Sequence, residues 1–163
     1  MRLERSDADL IVDADSEAET GRLGRALAAL AGPNVVIGLI GPLGAGKTRL
    51  ARALAEALGV DPDAIASPTF VLIHEYPGRW PVYHFDTSRL DGPDEFDALG
   101  ASEYWEAGGV CLVEWADRVA DRLPADAWLV RIEVRGDDRR RFFLRLPAGS
   151  GLADRLAASL AAV

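Results

Sequence analysis

The residues best suited to chemistry form a glycine-rich loop with the sequence GPLGAGKT at residues 41–48. The loop fits the G-x-x-x-x-G-K-[ST] pattern, in which backbone N–H groups surround nucleotide phosphates. Lys47 is the only lysine among 18 basic residues, and a slim ammonium suits this position better than a broad guanidinium. The Thr48 hydroxyl is a ligand for the Mg²⁺ that accompanies such phosphates. The loop therefore predicts nucleotide binding; the alternative is a tight turn that binds nothing.

Two acidic residues are candidates to assist at this loop. Asp86 ends an apolar stretch at residues 82–86, and Glu114 ends another at residues 110–114. Sites in open α/β sheets lie beyond the carboxyl ends of the strands, so both acids are expected near the phosphates. There, an acid holds Mg²⁺ or orients the attacking water. The alternative for each is a carboxylate in solvent or a cap of the next helix.

Other polar residues have both a functional and a structural interpretation. Ser67 and Thr69 flank a proline, which suits a switch-like segment near the γ-phosphate but, from the residues alone, favours a plain turn. His84 is placed to shuttle a proton, although a histidine in a strand more often packs or forms a hydrogen bond. Trp115 is a candidate to stack on a base or on a partner, but packing is the expected role. The three arginines at residues 139–141 are more typical of a solvated face than of an RNA contact.

The composition excludes some candidate nucleotides and some candidate mechanisms. The chain contains no glutamine, so a Ras-type glutamine cannot orient the attacking water. Its only asparagine is Asn34, so the Asn-Lys-x-Asp pattern that reads guanine is missing. By exclusion, adenine is the expected base and ATP the expected nucleotide.

Length, charge and cysteine content limit the number of domains, the binding partners and the cellular compartment to be expected. The 163 residues predict one domain. A net charge of −8 argues against a free nucleic-acid binder, so any contact with RNA is expected to need a partner. Cys111 is the only cysteine, which excludes an intramolecular disulfide and suits the cytoplasm. The chain shows neither a signal-peptide pattern nor an apolar run of the ~18 residues that a membrane helix needs.

The predicted elements alternate between helices and strands. Ser16 and Glu19 have the spacing of a capping box and predict a helix start. Strands are predicted at residues 35–40, 70–76, 82–86, 110–113, 128–135 and 141–146, and the main helices at 16–30, 47–58 and 152–162, with short helical stretches near 93–106 and 116–123. These elements predict an α/β fold of the P-loop NTPase type. It has a mainly parallel central sheet flanked by helices and an antiparallel C-terminal hairpin.

Taken together, the motifs resemble the TsaE (YjeE-type) P-loop ATPase family over about residues 15–146. The similar parts are the glycine-rich loop, SPTF at 67–70, YHFD at 83–86 with Arg89 and Leu90, and LVEW at 112–115. The resemblance implies a single ATPase domain over residues 1–163, acting in bacterial tRNA modification. It further implies support for N6-threonylcarbamoyladenosine formation at position 37, together with the TsaD–TsaB complex, with tRNA reached only through that complex and no membrane involved.

By position, the resemblance implies a role for each candidate residue, with ATP and Mg²⁺ as cofactors. Lys47, Asp86 and Glu114 are implied to be catalytic, and Thr48, Glu114 and Asp86 are the implied metal ligands. The implied cofactor-binding residues are Gly44, Ala45, Gly46, Lys47, Thr48, Arg49, Thr20, Ser67, Thr69 and Trp115. Two positions depart from the family pattern: Pro42 replaces an aspartate, and Ser88 replaces a tyrosine.

A slow ATPase activated by its partners is therefore the leading hypothesis. One alternative is a non-catalytic module that binds nucleotide only for stability or regulation. A second alternative is a small-molecule kinase, against which the sequence offers neither an evident second substrate pocket nor an arginine-rich lid.

Overall fold

The computed structural model describes residues 1–65 and 72–162. The strands are β1 (Arg2–Arg5), β2 (Leu10–Ala14), β3 (Val36–Ile40), β4 (Ile73–Tyr76), β5 (Val82–Asp86), β6 (Val110–Glu114), β7 (Trp128–Val134) and β8 (Arg140–Arg145). The α-helices are α1 (Glu17–Leu30), α2 (Lys47–Ala57), α3 (Pro93–Ala98), α4 (Ala101–Tyr104) and α5 (Leu152–Ala161). Short 3₁₀ helices cover Pro62–Ala64 and Ala116–Arg122.

All eight of these strands join one sheet in the order β1-β2-β8-β7-β3-β6-β5-β4. The central pairs β7–β3, β3–β6 and β6–β5 are parallel, whereas the pairs towards both edges are antiparallel. The predicted α/β class, its parallel centre and its C-terminal hairpin are confirmed. Antiparallel pairing reaches further than predicted, because β1 and β2 extend the hairpin sheet and β4 pairs with β5.

The core lies on both faces of the central strands. On one face the larger cluster packs α1, α2 and α5 against the sheet, with buried side chains such as Leu27, Leu54 and Leu156. On the other face Phe85, Phe96 and other apolar side chains form a smaller cluster. Strands β3 and β6 are thus covered on both sides, which explains why they read as continuous apolar runs. These two strands lead directly into the site.

The boundaries of the two long helices follow the sequence signals. The Ser16 side chain accepts a hydrogen bond of 3.2 Å from the Glu19 N–H and caps α1. The Glu19 carboxylate turns instead to the Asp15 N–H at 2.7 Å and to the chain's amino terminus at 2.6 Å. The predicted capping box is therefore half formed, although the helix start is confirmed. Helix α2 ends before Gly59, whose φ of 91° suits glycine.

Three local features differ from the prediction. Strands β1 and β2 were not predicted. β1 is short and its side chains are mostly exposed, whereas β2 does carry a signal, since Leu10, Val12 and Ala14 are buried at alternate positions. Val134 lies on the same face of β7 as the buried Trp128, Val130 and Ile132 but is 47% exposed, since it ends the strand beside the hairpin turn. The predicted helix near residues 116–123 is a 3₁₀ segment that is kinked at Val119. None of these changes moves the glycine-rich loop from the end of β3.

Across the described ranges 1–65 and 72–162, no helix combines the length and apolarity needed to span a membrane.

Candidate phosphate-binding site

The glycine-rich loop joins the end of β3 to the start of α2, as the motif requires. Gly44 and Gly46 have φ angles of 78° and 103°, which favour glycine. A Cβ atom on Gly41 would lie 2.9 Å from the Ile132 carbonyl oxygen, so the close approach of the loop to β7 excludes a side chain there. Gly46 precedes α2 without a side-chain cap, which leaves the first amides of the helix available to an anion.

Lys47 is folded back onto this loop. Its Nζ atom donates hydrogen bonds of 2.6 Å to the Gly41 carbonyl and 2.8 Å to the Pro42 carbonyl. The ammonium also lies 3.8 Å from the centre of the Trp115 ring, within cation–π distance. The side chain is only 5% exposed. These contacts satisfy the charge with weak acceptors that an arriving phosphate can replace.

Two opposing effects act on the pKa of the Lys47 ammonium. Burial lowers the pKa of its ammonium, while the nearby carboxylates of Glu114, Asp117 and Asp86 act in the opposite direction. Burial is the larger effect, because removal from water disfavours the charged form of the side chain. An anionic ligand would act in the same direction as the carboxylates and raise this pKa.

Glu114 connects the loop helix to the neighbouring strands. Its Oε1 atom accepts a hydrogen bond of 2.7 Å from the Thr48 hydroxyl, and its Oε2 atom lies 2.5 Å from His84 Nε2. The side chain is 3% exposed. The sequence favours a packed or hydrogen-bonded His84, and the structure shows that Glu114 is its hydrogen-bond partner. Both carboxylate oxygens are therefore held in fixed directions.

The backbone around Glu114 is fixed by Thr87, a residue that the sequence patterns did not indicate. The buried Thr87 hydroxyl lies 2.9 and 2.8 Å from the carbonyl oxygens of Glu114 and Trp115 and shares its one proton between them. Trp115 has a φ of 59°, an uncommon conformation for a bulky residue. This turn after β6 brings the tryptophan ring to the Lys47 ammonium. This turn therefore explains why Trp115 lies beside the loop, the position that the family resemblance implied.

Asp86 lies on the strand next to Glu114. The two residues are partners in the parallel register of β5 and β6, so their side chains leave the same face of the sheet. Asp86 Oδ1 accepts a hydrogen bond of 2.9 Å from the Ser88 N–H. Any amino acid except proline supplies that N–H, so the replacement of tyrosine by Ser88 leaves this contact intact. Glu114, and not Asp86, makes the direct contact with Thr48.

Thr20 and Arg49 lie beside the loop, on the side of α1. Both line a small cavity of about 30 Å³ together with Ala45 and Gly46. Thr20 is buried, whereas Arg49 is exposed and forms an ion pair of 2.6 Å with Glu17. The cavity therefore joins the beginning of α1 to the phosphate loop.

Arg140 is a further site residue that sequence reasoning missed. Its Nε atom donates to the Ala45 carbonyl at 2.8 Å, and its Nη2 atom to the Gly44 carbonyl at 3.3 Å. Its Nη1 atom donates to carbonyls of the β7–β8 turn, including that of Gly136 at 2.9 Å. Arg140 thus ties the hairpin to the phosphate loop across 95 residues of chain. A run of three arginines carries no signal that singles out the middle one.

Two predicted residues, Ser67 and Thr69, lie outside the residues that the structure describes, as does the beginning of the strand predicted at 70–76. Within the described part of the chain, no group of three or more His, Cys, Asp or Glu side chains could hold a metal ion. The hydroxyl of Thr48 and the carboxylate of Glu114 offer two hard oxygen ligands. This donor set suits Mg²⁺, which takes its remaining ligands from phosphates and water.

The loop between β3 and α2, at the carboxyl end of a parallel sheet centre, defines an α/β protein of the P-loop type. Residues 14–142 match the family model "Threonylcarbamoyl adenosine biosynthesis protein TsaE". The chain therefore belongs to the TsaE family.

Individual proteins agree with this assignment. The chain is 43% identical over 123 residues to the tRNA threonylcarbamoyladenosine biosynthesis protein TsaE of Bacillus subtilis, covering 75% of this chain and 76% of the relative. It is 38% identical over 125 residues to the protein of the same name from Treponema pallidum, covering 77% and 92%. The crystal structure of Bacillus subtilis YdiB matches with a TM-score of 0.72 and 32% identity, covering 99% of this chain and 97% of that one.

Proposed function

We propose that this protein is the Mg²⁺-dependent ATPase subunit of tRNA threonylcarbamoyladenosine biosynthesis, acting with the TsaD–TsaB complex on position 37 of tRNA. Membership of the TsaE family and the names of its relatives support the role in this biosynthesis. The observation that carries the ATPase proposal is the contact of 2.7 Å between the Thr48 hydroxyl and Glu114, beside a buried Lys47. A plain structural turn would not require these three polar groups to meet.

Nucleotide binding begins with the loop amides and the first turn of α2, which together favour phosphate oxygens. Lys47 then exchanges the carbonyls of Gly41 and Pro42 for the β- and γ-phosphates. Thr48 and Glu114 would hold the Mg²⁺ ion that accompanies the nucleotide, and this ion would supply neutralisation of the phosphate charge. The adenosine end is expected on the side of Thr20 and Arg49, where the small cavity opens.

Hydrolysis further requires that a water molecule be oriented towards the γ-phosphate. With no glutamine in the chain, a carboxylate is the available group for this task. The Asp86 side chain lies on the same sheet face as that of Glu114. Asp86 accepts a hydrogen bond from a backbone N–H, whereas Glu114 contacts the buried His84. We assign the metal contact to Glu114 and the second, water-orienting role to Asp86.

Slow turnover by the isolated chain follows from the same arrangement. Lys47 and Glu114 are both engaged by groups of the protein itself. These contacts must rearrange before the site can act, and a partner that stabilises the rearranged state would accelerate turnover. The protein is thus a nucleotide-dependent subunit whose bound state changes its affinity for a larger complex.

Steady-state phosphate release tests this proposal. The purified chain is assayed alone, with TsaD–TsaB, and with TsaD–TsaB plus tRNA. The expected result is slow release by the chain alone and clear stimulation by the complex. Nucleotide binding without release under any of the three conditions would contradict an ATPase and support the non-catalytic module. Transfer of labelled phosphate to a small molecule would instead support a kinase.

A further inference from the structure

A second polar surface, separate from the phosphate loop, lies where β1, β2 and the β7–β8 hairpin meet. It is a groove of about 220 Å³ lined by five arginines, two aspartates and Ala14. We call it the arginine groove; its charged residues are Arg2, Arg135, Arg139, Arg140, Arg141, Asp13 and Asp15. The five arginines exceed the two aspartates by three positive charges, and Glu133, which pairs with Arg135, reduces this excess to two, in a chain whose net charge is −8.

One ion pair forms the fixed floor of the groove. Arg141 binds Asp13 with two hydrogen bonds, from Nε at 2.7 Å and from Nη2 at 2.8 Å. Both side chains are partly buried. The hydrogen bond from Arg141 is the largest effect on Asp13 and lowers the pKa of its carboxyl. This pair therefore shapes the groove rather than offering a free cation.

The rim of the groove is held much more weakly. Arg139 pairs with Asp15 at 3.0 Å, with side chains 67% and 61% exposed. Arg135 pairs with Glu133 at 2.5 Å and is likewise exposed. Exposed ion pairs of this kind contribute little to stability. Both guanidinium groups can therefore leave their carboxylates for a stronger anionic ligand.

Arg140 separates the groove from the phosphate loop. Its guanidinium is directed to the carbonyls of Gly44, Ala45 and the hairpin turn. The acidic turn residues Asp137 and Asp138 line the small cavity near Thr20, whereas the arginine groove does not include them. The groove thus lies beside the nucleotide site and has a more positive lining.

We propose that the arginine groove binds the phosphate backbone of RNA directly, which differs from the expectation drawn from the net charge of the whole chain. Guanidinium forks bind phosphate oxygens in a two-point geometry, and several of them along one groove suit a chain of phosphates better than a single anion. That the RNA is tRNA rests on the proposed function. The acidic remainder of the chain confines binding to this face and makes it weak and sensitive to salt.

The test is a binding titration at increasing salt. A fluorescently labelled, unmodified tRNA transcript is titrated with the full chain, and its fluorescence anisotropy is measured. Two double variants carry the same change in charge. R135E/R139E alters the groove rim, whereas R79E/R155E alters exposed arginines in the β4–β5 turn and on α5. Wild type is expected to bind with a dissociation constant of roughly 1–100 µM at physiological salt, and more tightly at low salt. The groove variant should lose at least tenfold in affinity and about two units of the salt slope, and the control less than threefold.

Three outcomes would overturn the proposal. They are no tRNA binding by folded wild type at low salt, an equal loss in both double variants, or a groove variant that keeps tRNA but no longer binds the TsaD–TsaB complex. The last result would make the groove a protein contact. Mg-ATP uptake by the same variants is measured in parallel, because it should be unchanged. Loss of tRNA binding with intact ATP uptake concerns the groove alone, whereas absent ATP uptake by wild type contradicts the proposed function.

Discussion

The Thr48 hydroxyl donates a hydrogen bond of 2.7 Å to Glu114 Oε1, although the two residues are 66 positions apart in the chain. The contact joins the first turn of α2 to the end of β6. It exists because β3 and β6 are parallel neighbours, which brings the loop after one strand beside the acid that ends the other. This pair is the part of the site that most directly fits a Mg²⁺-nucleotide.

The charge of Glu114 is expected to matter more for turnover than for binding. E114Q keeps the size of the side chain and an acceptor for Thr48 but removes the negative charge. We expect phosphate release to fall about 100-fold, the size of effect typical for a lost electrostatic contact in a site, while Mg-ATP affinity falls less. Release and binding are measured on the same preparation. D86N is the comparison: loss of release in D86N alone, with E114Q unaffected, would make Asp86 the main acid.

His84 is expected to position the Glu114 carboxylate for the metal. H84F keeps a ring in the buried space but removes the partner of Oε2, so the carboxylate can rotate. Titration with Mn²⁺, followed by electron paramagnetic resonance in the presence of ADP, should show about tenfold weaker metal binding. H84Q, which restores an N–H donor, should recover part of this loss.

His74 provides the matched control, since it is the strand partner of His84 on β4. H74Q should change Mn²⁺ affinity less than twofold. If H84F binds Mn²⁺ like wild type, His84 does not position the metal ligand. Equal effects of the H84F and H74Q substitutions would indicate a general change in packing instead.

Arg140 is expected to stabilise both the fold and the phosphate loop. R140A leaves the carbonyls of Gly44 and Ala45 without this donor and should lower the free energy of unfolding by roughly 1–3 kcal/mol. It should also weaken nucleotide binding, because the loop loses its anchor to the hairpin. Urea unfolding and ATP titration measure the two effects. R139A is the neighbouring control, since its pair with Asp15 is exposed, and equal losses in the two variants would contradict this role.

Cys111 supplies a prediction about pH. Burial raises the pKa of its thiol from 9.0 to about 12. Between these values the folded state keeps the proton that the unfolded state loses, so stability falls as pH rises above about 9. C111A lacks this effect, and its urea midpoint should decline less steeply between pH 8 and pH 10 than that of wild type. Parallel declines in the two proteins, or rapid labelling of the native thiol at pH 8, would contradict the burial of this group.

The sequence predicted the parts of the molecule whose signals are local. β3 and β6 are recognisable because both faces are buried, and the glycine-rich loop is recognisable because its backbone angles require glycine at defined positions. The expectation that Asp86 and Glu114 lie near the loop followed from the rule that sites lie at the carboxyl ends of parallel strands.

The remaining features depend on contacts between distant parts of the chain. The bonds from His84 to Glu114 and from Arg140 to Ala45 arise only once the strand order is set. Neither residue type indicates its partner in advance. The same holds for β1 and β2, whose pairing with the hairpin strand β8 creates the arginine groove.

Calorimetric titration of the folded, nucleotide-free chain with Mg-ATP measures directly whether the phosphate loop binds nucleotide. K47M serves as the matched variant, because it keeps an unbranched side chain of similar length but lacks the ammonium. We expect saturable uptake of one Mg-ATP per wild-type chain and at least tenfold weaker uptake by K47M. An absence of uptake by wild type, alone and with TsaD–TsaB, or equal affinities of wild type and K47M, would contradict this expectation.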